Sequence, residues 1–494
     1  MTVGALLQIE YGNTDRMAFL TLNPQITHFK SVYRKYTNFG NEYITVQPSK
    51  DGELSWDSET TVEFIIPRDG DLIKDMYFTF ELPDIYSDEK YQFQWIKRIG
   101  EYIVKEVSLQ LDTNQNLDKQ YSEWFHAYSE LNYNDGKKDG YYKMIGNVPE
   151  LYNPANSPGN NGVYPSTAYA PSIINRKIYL PLIFWFNKIS SLSFPLIATQ
   201  KSELKVRFLL RRMSELYTIV NQLTEDKERI KPITSTHYIG NFLSPATSAS
   251  SLIITPRLEI NNIFLDNEER KRFAISSHDY LITQVQKIEQ TYSQNNIQID
   301  LKNINKPVTQ FVFMIRRTDM EDVNEWSNFT NWNQESIPPY SGGYSNPHGS
   351  ILKIDSTSIK YYKTANLLKS AIFKIQGHEI TTGNVRNNDL NTSSRISGKD
   401  SVFYNLMSNF NSNNNMPSEG IYTYSFSLDN SNLQPMGAIN MSSLNKKELN
   451  LILTELNPNG GYNGDPYNYN VIIFAVNYDI LTIMGGIGGL KYAN

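Results

Sequence analysis

The stretch Val62-Glu63-Phe64-Ile65-Ile66-Pro67-Arg68-Asp69-Gly70-Asp71-Leu72-Ile73-Lys74-Asp75-Met76-Tyr77-Phe78-Thr79-Phe80 decides the fold class of this chain. On each side of its Pro-Arg-Asp-Gly-Asp turn the apolar residues return at every second position, the spacing of strands that bury one face. The same period runs through Val107-Leu109-Leu111, Ile178-Leu180-Leu182-Phe184 and Ile297-Ile299-Leu301. Turn formers such as Asn114-Gln115-Asn116, Asn303-Ile304-Asn305-Lys306-Pro307 and Asn457-Pro458-Asn459-Gly460-Gly461 separate these runs. Many short strands so spaced imply an all-β sandwich or barrel rather than a parallel βαβ sheet.

The opening stretch also has an echo. A shift of 235 positions lays Val62, Phe64, Ile66, Ile73, Met76, Phe78 and Phe80 onto Ile297, Ile299, Leu301, Val308, Phe311, Phe313 and Ile315. A shift of 264 lays Ile103, Val104, Lys105, Val107, Leu109 and Leu111 onto Leu367, Leu368, Lys369, Ala371, Phe373 and Ile375. A shift of 244 pairs Ile178, Leu180, Leu182 and Phe184 with Tyr422, Tyr424, Phe426 and Leu428. One of 245 pairs Glu203, Leu204, Val206 and Phe208 with Glu448, Leu449, Leu451 and Leu453. Any single match of this kind is cheap, because all amphipathic strands look alike; a series in the same order marks a duplicated β domain. The first copy ends near Leu265 and the second begins near Asp279, joined by the charged, helix-prone Asp266-Asn267-Glu268-Glu269-Arg270-Lys271-Arg272-Phe273. Polar insertions rich in Asn, Ser, Gly and Tyr lengthen both copies.

Composition narrows the chemistry. The 494 residues include 40% hydrophobic and 20% charged side chains, with 33 Tyr and 23 Phe, which describes a folded, aromatic-rich protein. The absence of cysteine excludes disulfides, thiolate nucleophiles and Cys-ligated metals, and suits a reducing compartment. With 46 basic and 51 acidic residues the net charge is -5, and no Lys/Arg run is present to neutralise a phosphate backbone, so direct nucleic-acid binding is not expected. Met1 to Gln8 has no cationic residue ahead of its apolar stretch and does not read as a secretory signal. Val471 to Leu490 is apolar enough to resemble a membrane span, yet Asp479 alone would cost a spanning helix about 3 kcal/mol. Its β-branched alternation suits a strand.

No motif carries catalysis. Asp112, Asn114, Asn116 and Glu123 reproduce calcium-loop spacing at positions one, three, five and twelve, but Leu117 stands where that loop needs glycine and a strand precedes it. A polar hairpin is the better reading. The histidines at 28, 126, 237, 278, 348 and 378 form no H-x-H or H-E-x-x-H pair. Asp69 with Asp71, and Asp319 with Asp322, lie in turns where Asp caps backbone. Gly485 to Gly489 follows a strand and reads as a tight, buried C-terminal turn. The chain is therefore expected to be no enzyme, with no cofactor and no metal. The sequons at Asn328 and Asn391 sit in expected loops and are possible glycosylation sites, whereas Asn440 lies beside a strand.

The run Phe19-Leu20-Thr21-Leu22-Asn23-Pro24-Gln25-Ile26-Thr27-His28-Phe29-Lys30-Ser31-Val32-Tyr33-Arg34-Lys35-Tyr36-Thr37-Asn38-Phe39, preceded by Gly4-Ala5-Leu6-Leu7-Gln8, closely resembles the N-terminal signature of major capsid proteins of nucleocytoplasmic large DNA viruses. Phe426-Ser427-Leu428 with Gln434-Pro435, Gly437 and Asn440-Met441-Ser442, and Val476-Asn477-Tyr478-Asp479-Ile480-Leu481 with the glycines to Tyr492, are similar to that family's closing motifs. So are Pro181 to Phe186, Phe194 to Ala198 and Glu268 to Ala274, so the likeness spans the chain. Leu22, His28, Met436 and Ser443 depart from the usual residues and point to a divergent lineage.

The resemblance implies two consecutive eight-stranded antiparallel jelly rolls, a double jelly roll with long loop insertions and short helices. It divides the chain into an N-terminal arm at 1–26, a first roll at 27–265 with an insertion at about 132–171, a linker helix at 266–278, and a second roll at 279–494 with insertions at about 316–350 and 377–420. It further implies homotrimers of pseudo-hexameric outline that tile an icosahedral shell in the virion, with assembly in the host cytoplasm. The implied partners are neighbouring capsomers, minor capsid and penton proteins, and an inner viral membrane that lies beneath the shell and is not spanned. The arm would run under the shell, and the insertions would form outward towers. Two alternatives stay open: an assembly scaffold or minor capsid protein of the same fold, and a glycan-binding or glycan-cleaving double jelly roll.

Overall fold

The computed structural model describes residues 2–6, 19–50, 52–87, 90–112, 115–156, 170–223, 229–331, 350–355, 358–363, 367–380, 415, 420–430, 432, 434–458 and 465–492. Two compact units form, Met1–Phe39 and Gly40–Asn494.

Within the larger unit eight strands make the first roll: β1 (Phe39–Val46), β2 (Thr60–Ile65), β3 (Leu72–Leu82), β4 (Val104–Leu111), β5 (Gln115–Tyr121), β6 (Arg176–Pro181), β7 (Leu204–Leu210) and β8 (Arg257–Leu265). They form two antiparallel sheets, ordered β1-β8-β3-β6 and β2-β7-β4-β5. Eight more follow: β9 (His278–Tyr292), β10 (Asn296–Asp300), β11 (Pro307–Arg317), β12 (Leu368–Ile375), β13 (His378–Glu379), β14 (Ile421–Ser425), β15 (Lys447–Leu453) and β16 (Tyr469–Met484). Their sheets run β9-β16-β11-β14 and β10-β15-β12-β13, the first roll's order with every strand advanced by eight. The molecule is a double jelly roll.

Strand pairing tests the repeat residue by residue. Val62 lies opposite Phe208 and Ile297 opposite Leu451, while Val107 lies opposite Phe208 and Ala371 opposite Leu451. Both pairings make Leu451 the counterpart of Phe208, two positions short of the Leu453 assigned by sequence shift. The same slip affects β6 and β14, because Leu180 faces Phe78 while Tyr422 faces Phe313. A two-residue slip leaves each side chain on the same face, so periodicity alone is blind to it.

Phe64, Phe78 and Phe208 pack edge-on and stacked inside the first roll, and Phe311, Phe313, Phe373 and Tyr422 do so inside the second. A difference between the rolls lies on the outer face of the leading sheet. In β3 the inward Met76, Phe78 and Phe80 alternate with Tyr77, Thr79 and Glu81. In β11 the inward Phe311, Phe313 and Ile315 alternate with Val312 and Met314, which are equally buried. β16 repeats this, with Val471, Ile473 and Ala475 inward and Ile472, Phe474 and Val476 outward. Strands covered on both faces read as unbroken apolar runs, which is why Val471 to Leu490 mimics a membrane span. Among the described residues no helix is long and apolar enough to cross a membrane.

Three helices shape the junction and its surroundings: α1 (Ser122–Asn132), α2 (Asp135–Met144) and α3 (Asn267–Ile275). The described part of the first insertion is thus partly helical rather than loop. Two glycines and a polar composition hid α2, although Asn134 caps it by accepting from the Lys137 N–H at 2.9 Å. In α3, Asp266 caps the free amides of Glu268 and Glu269. Gly485 and Gly486, at φ 62 and 90, form the tight turn between β16 and Ile487–Leu490. Contrary to expectation this turn is largely exposed, and burial is confined to Gly488, where a Cβ would fall 2.7 Å from a Leu111 methyl.

Candidate functional site: the seam between the rolls

The outward face of the β9-β16-β11-β14 sheet is covered by the first roll. α1 follows β5 directly, and its first turn delivers Trp124 against Phe474, with ring centroids 5.4 Å apart; Tyr121 at the end of β5 meets the same ring at 6.1 Å. Val312, Met314, Ile472 and Val476 join the first roll's core through this contact. Burying a Phe side chain is worth roughly 1.5–3 kcal/mol, so a patch of this size fixes the rolls as one body.

Polar groups set the register of the seam. Glu123, buried in the first turn of α1, meets Lys287 of β9 at 3.3 Å, Arg316 of β11 at 3.4 Å and Arg211 at 3.5 Å. Burial alone would raise its carboxyl, but these three cations hold it well below the usual carboxylate range. The Arg211 and Arg316 guanidinium groups lie over Trp326, 4.2 and 5.5 Å from a ring centroid, and the Trp326 indole N–H donates to the Glu215 carbonyl at 3.0 Å. Asp118 Oδ1 accepts from the Val285 N–H at 3.3 Å and the Gln284 amide donates to the Leu117 carbonyl, while within the second roll Lys306 pairs with Asp479 at 2.6 Å. Burial pushes the Asp118 carboxyl up to about 7, against the opposing pull of Lys188 and its hydrogen bonds. Further along, Asn324 donates to the Ser214 and Tyr217 carbonyls at 2.8 and 2.9 Å, and Glu325 pairs with Arg229 at 2.5 Å.

The residues singled out from sequence take structural places. Asp112 adopts a left-handed turn at φ 58 and accepts from the Glu203 N–H, while Asp118 and Glu123 point into the seam, so the calcium-like spacing is split between a hairpin and a helix start. Asp71 accepts from the Leu265 N–H and pairs with Arg270 at 2.8 Å, pinning α3 to the start of β3. Asp319 pairs with Arg317 at 2.6 Å, and Asp322 with Lys231 at 3.2 Å. His126 shares a hydrogen bond with the Tyr102 hydroxyl at 3.0 Å, and His278 with the Phe273 carbonyl at 2.8 Å. Asn328 accepts from both the N–H and the hydroxyl of its sequon partner Thr330, whereas Asn391 lies outside the described residues. Among the described residues no three His, Asp or Glu side chains gather as a metal site. Sequence reading missed the seam altogether. Its signal was the contrast between alternating Met76–Phe80 and unbroken Phe311–Ile315 at matched positions.

Two further surfaces stand out. In the smaller unit Phe19, Leu20, Ile26, Phe29, Val32 and Tyr33 are each more than two-thirds exposed, Phe29 at 98%, and together form an apolar strip. Across the seam of the larger unit opens a cleft of about 270 Å³, with no carboxylate among the described residues that line it.

Comparison with known proteins agrees with this architecture. Residues 27–266 match the family model described as major capsid protein N-terminus, and residues 269–489 match that of the large eukaryotic DNA virus major capsid protein. The chain is 26% identical to a major capsid protein of Phaeocystis pouchetii virus, over 99% of this chain and 100% of that one. It is 27% identical, with the same coverage, to that of Paramecium bursaria Chlorella virus 1. A solved structure, the quasi-atomic PBCV-1 virus capsid, shares the fold with a TM-score of 0.65 at 24% identity, covering 95% of this chain and all of that one. The chain belongs to the major capsid protein family of the nucleocytoplasmic large DNA viruses.

Proposed function

We propose that this chain is the repeating building block of a virion shell: it trimerises into pseudo-hexameric capsomers that tile an icosahedral lattice and catalyses nothing. The carrying observation is that two rolls of identical strand order are fixed into one body by a buried seam, so three chains present six similar sides. The division into an arm at 1–26, rolls at 27–265 and 279–494 and a linker at 266–278 belongs to the same proposal. Its partners are further copies, minor capsid and penton proteins, with the apolar strip of the N-terminal unit serving contacts beneath the shell. Net charge -5 suits a shell separated from its genome by an inner membrane, and assembly belongs in the host cytoplasm.

Mass photometry of the purified protein tests this: a species of three times the 56.8 kDa chain is expected, and a stable monomer alone overturns it. Abundance in purified virions separates a major shell protein from a scaffold or minor component. The glycan-cleaving alternative needs paired carboxylates for its acid/base chemistry, and assay of the purified protein against glycan substrates separates it from a shell protein. As for modification, Asn328 is the sequon open to a structural argument. The Thr330 hydroxyl is buried and bonded to it, so intact-mass analysis is expected to find Asn328 unmodified on folded protein.

A further inference from the structure

The cleft across the seam is walled by two kinds of chemistry. On the first roll's side stand Trp124, Tyr128 and Trp185; on the second roll's side are the hydroxyl and amide groups of Thr283, Gln310 and Asn430. Lys137 and Lys188 stand at its walls, each over a tyrosine ring, Tyr133 at 4.3 Å and Tyr128 at 5.0 Å. Lys188 also reaches the Thr283 hydroxyl across the seam at 3.4 Å.

The half-buried Tyr128 and Tyr478 set phenol rings beside amides and hydroxyls, a lining that suits a sugar ring, whose axial C–H groups pack on phenol while its hydroxyls exchange hydrogen bonds. The charge adds a selection. The described lining residues include two lysines and no carboxylate; burial lowers Lys188 to about 8 against the pull of Asp118, whose own carboxyl burial raises to about 7, so an anion brought beside Lys188 favours its charged form. An acidic sugar therefore supplies an anion that a neutral one does not. The cavity, about 270 Å³, has room for one sugar residue rather than a chain.

We propose that the seam cleft is a binding site for a single carboxylate-bearing sugar, such as the acidic terminus of a glycan, with the half-buried Tyr128 and Tyr478 as aromatic walls and Lys137 and Lys188 as carboxylate partners. This reading is independent of trimer formation. It makes the junction of the rolls a recognition site as well as a joint.

The test is ligand-observed NMR on the purified full-length protein at its native oligomeric state, with glucuronic acid and N-acetylneuraminic acid as probes and glucose as the uncharged control. At least one acidic sugar is expected to bind saturably, at least tenfold tighter than glucose. The double variant K137Q/K188Q is expected to lose at least tenfold of that affinity with its particle mass unchanged, and K137Q alone, at a solvent-facing lysine, to lose part of it with its melting temperature unchanged as well. K105Q, a surface lysine on β4, is expected to bind as the parent does. Absence of binding by both acids, glucose binding as tightly as either, or full affinity in K137Q/K188Q would each overturn the proposal. A particle mass of one chain would count against the trimer alone.

Discussion

Glu123 is the residue on which the seam's electrostatics turn. Removing it by Glu123→Ala leaves Arg211, Lys287 and Arg316 with only Glu215 and Glu289, at 2.7–3.9 Å, as counter-charges, and breaking a buried pair in this way costs about 3–5 kcal/mol. Chemical denaturation is expected to show that loss, with Glu123→Gln intermediate. Because the folded-state carboxyl titrates well below its unfolded value, its contribution is complete above the ordinary Glu range, around pH 4.3, and fades as pH falls beneath it. Asp118 acts in the opposite sense. Its folded-state pKa of about 7 lies above the unfolded one near 3.9, so the fold prefers the protonated acid and loses stability as pH rises between those values. Asp118→Asn keeps an oxygen for the Val285 N–H and is expected to flatten that part of a stability-versus-pH curve.

At the level of elements the sharpest test is Gly488→Val. The added side chain meets the Leu111 methyl of β4 where even a Cβ has only 2.7 Å, so either that buried leucine changes rotamer or the hairpin after β16 lifts from the first roll, at roughly 1–3 kcal/mol for overpacking. Faster amide exchange at Ile487–Leu490, with β10 and β15 unchanged, is the expected signature. Phe474→Ala, which empties the centre of the seam, is expected to cost about 3–5 kcal/mol in thermal or denaturant unfolding. Elements also show where sequence sufficed. Strand alternation located β2, β3, β10 and β11 because each turn between them is short and marked by Pro, Gly or Asn. The matching of β7 with β15 and of β6 with β14 came out two residues adrift, since a period of two carries no information about even shifts. α2 stayed hidden behind its glycines. The seam was hidden for another reason: Lys287, Arg316 and Glu123 are ordinary surface-type residues in sequence, and only strand order brings them together.

On the scale of the whole molecule the two rolls are alike in topology and unlike in self-sufficiency. The first roll turns Tyr77, Glu81 and Glu259 outward from its leading sheet, whereas the second turns out Val312, Met314, Ile472 and Phe474. A fragment of residues 269–494 is therefore expected to aggregate or bind a hydrophobic dye more strongly than a fragment of residues 40–268. Sedimentation of the two fragments decides the point. The order of the halves along the polypeptide then suits the ribosome. Domains tend to fold as they emerge, N-terminal first, so the half whose sheet tolerates water is finished while the other is still being made. When the greasy sheet leaves the exit tunnel, its cover is already waiting, tethered by a nine-residue helix, and the nascent chain never has to shield it with a chaperone for long.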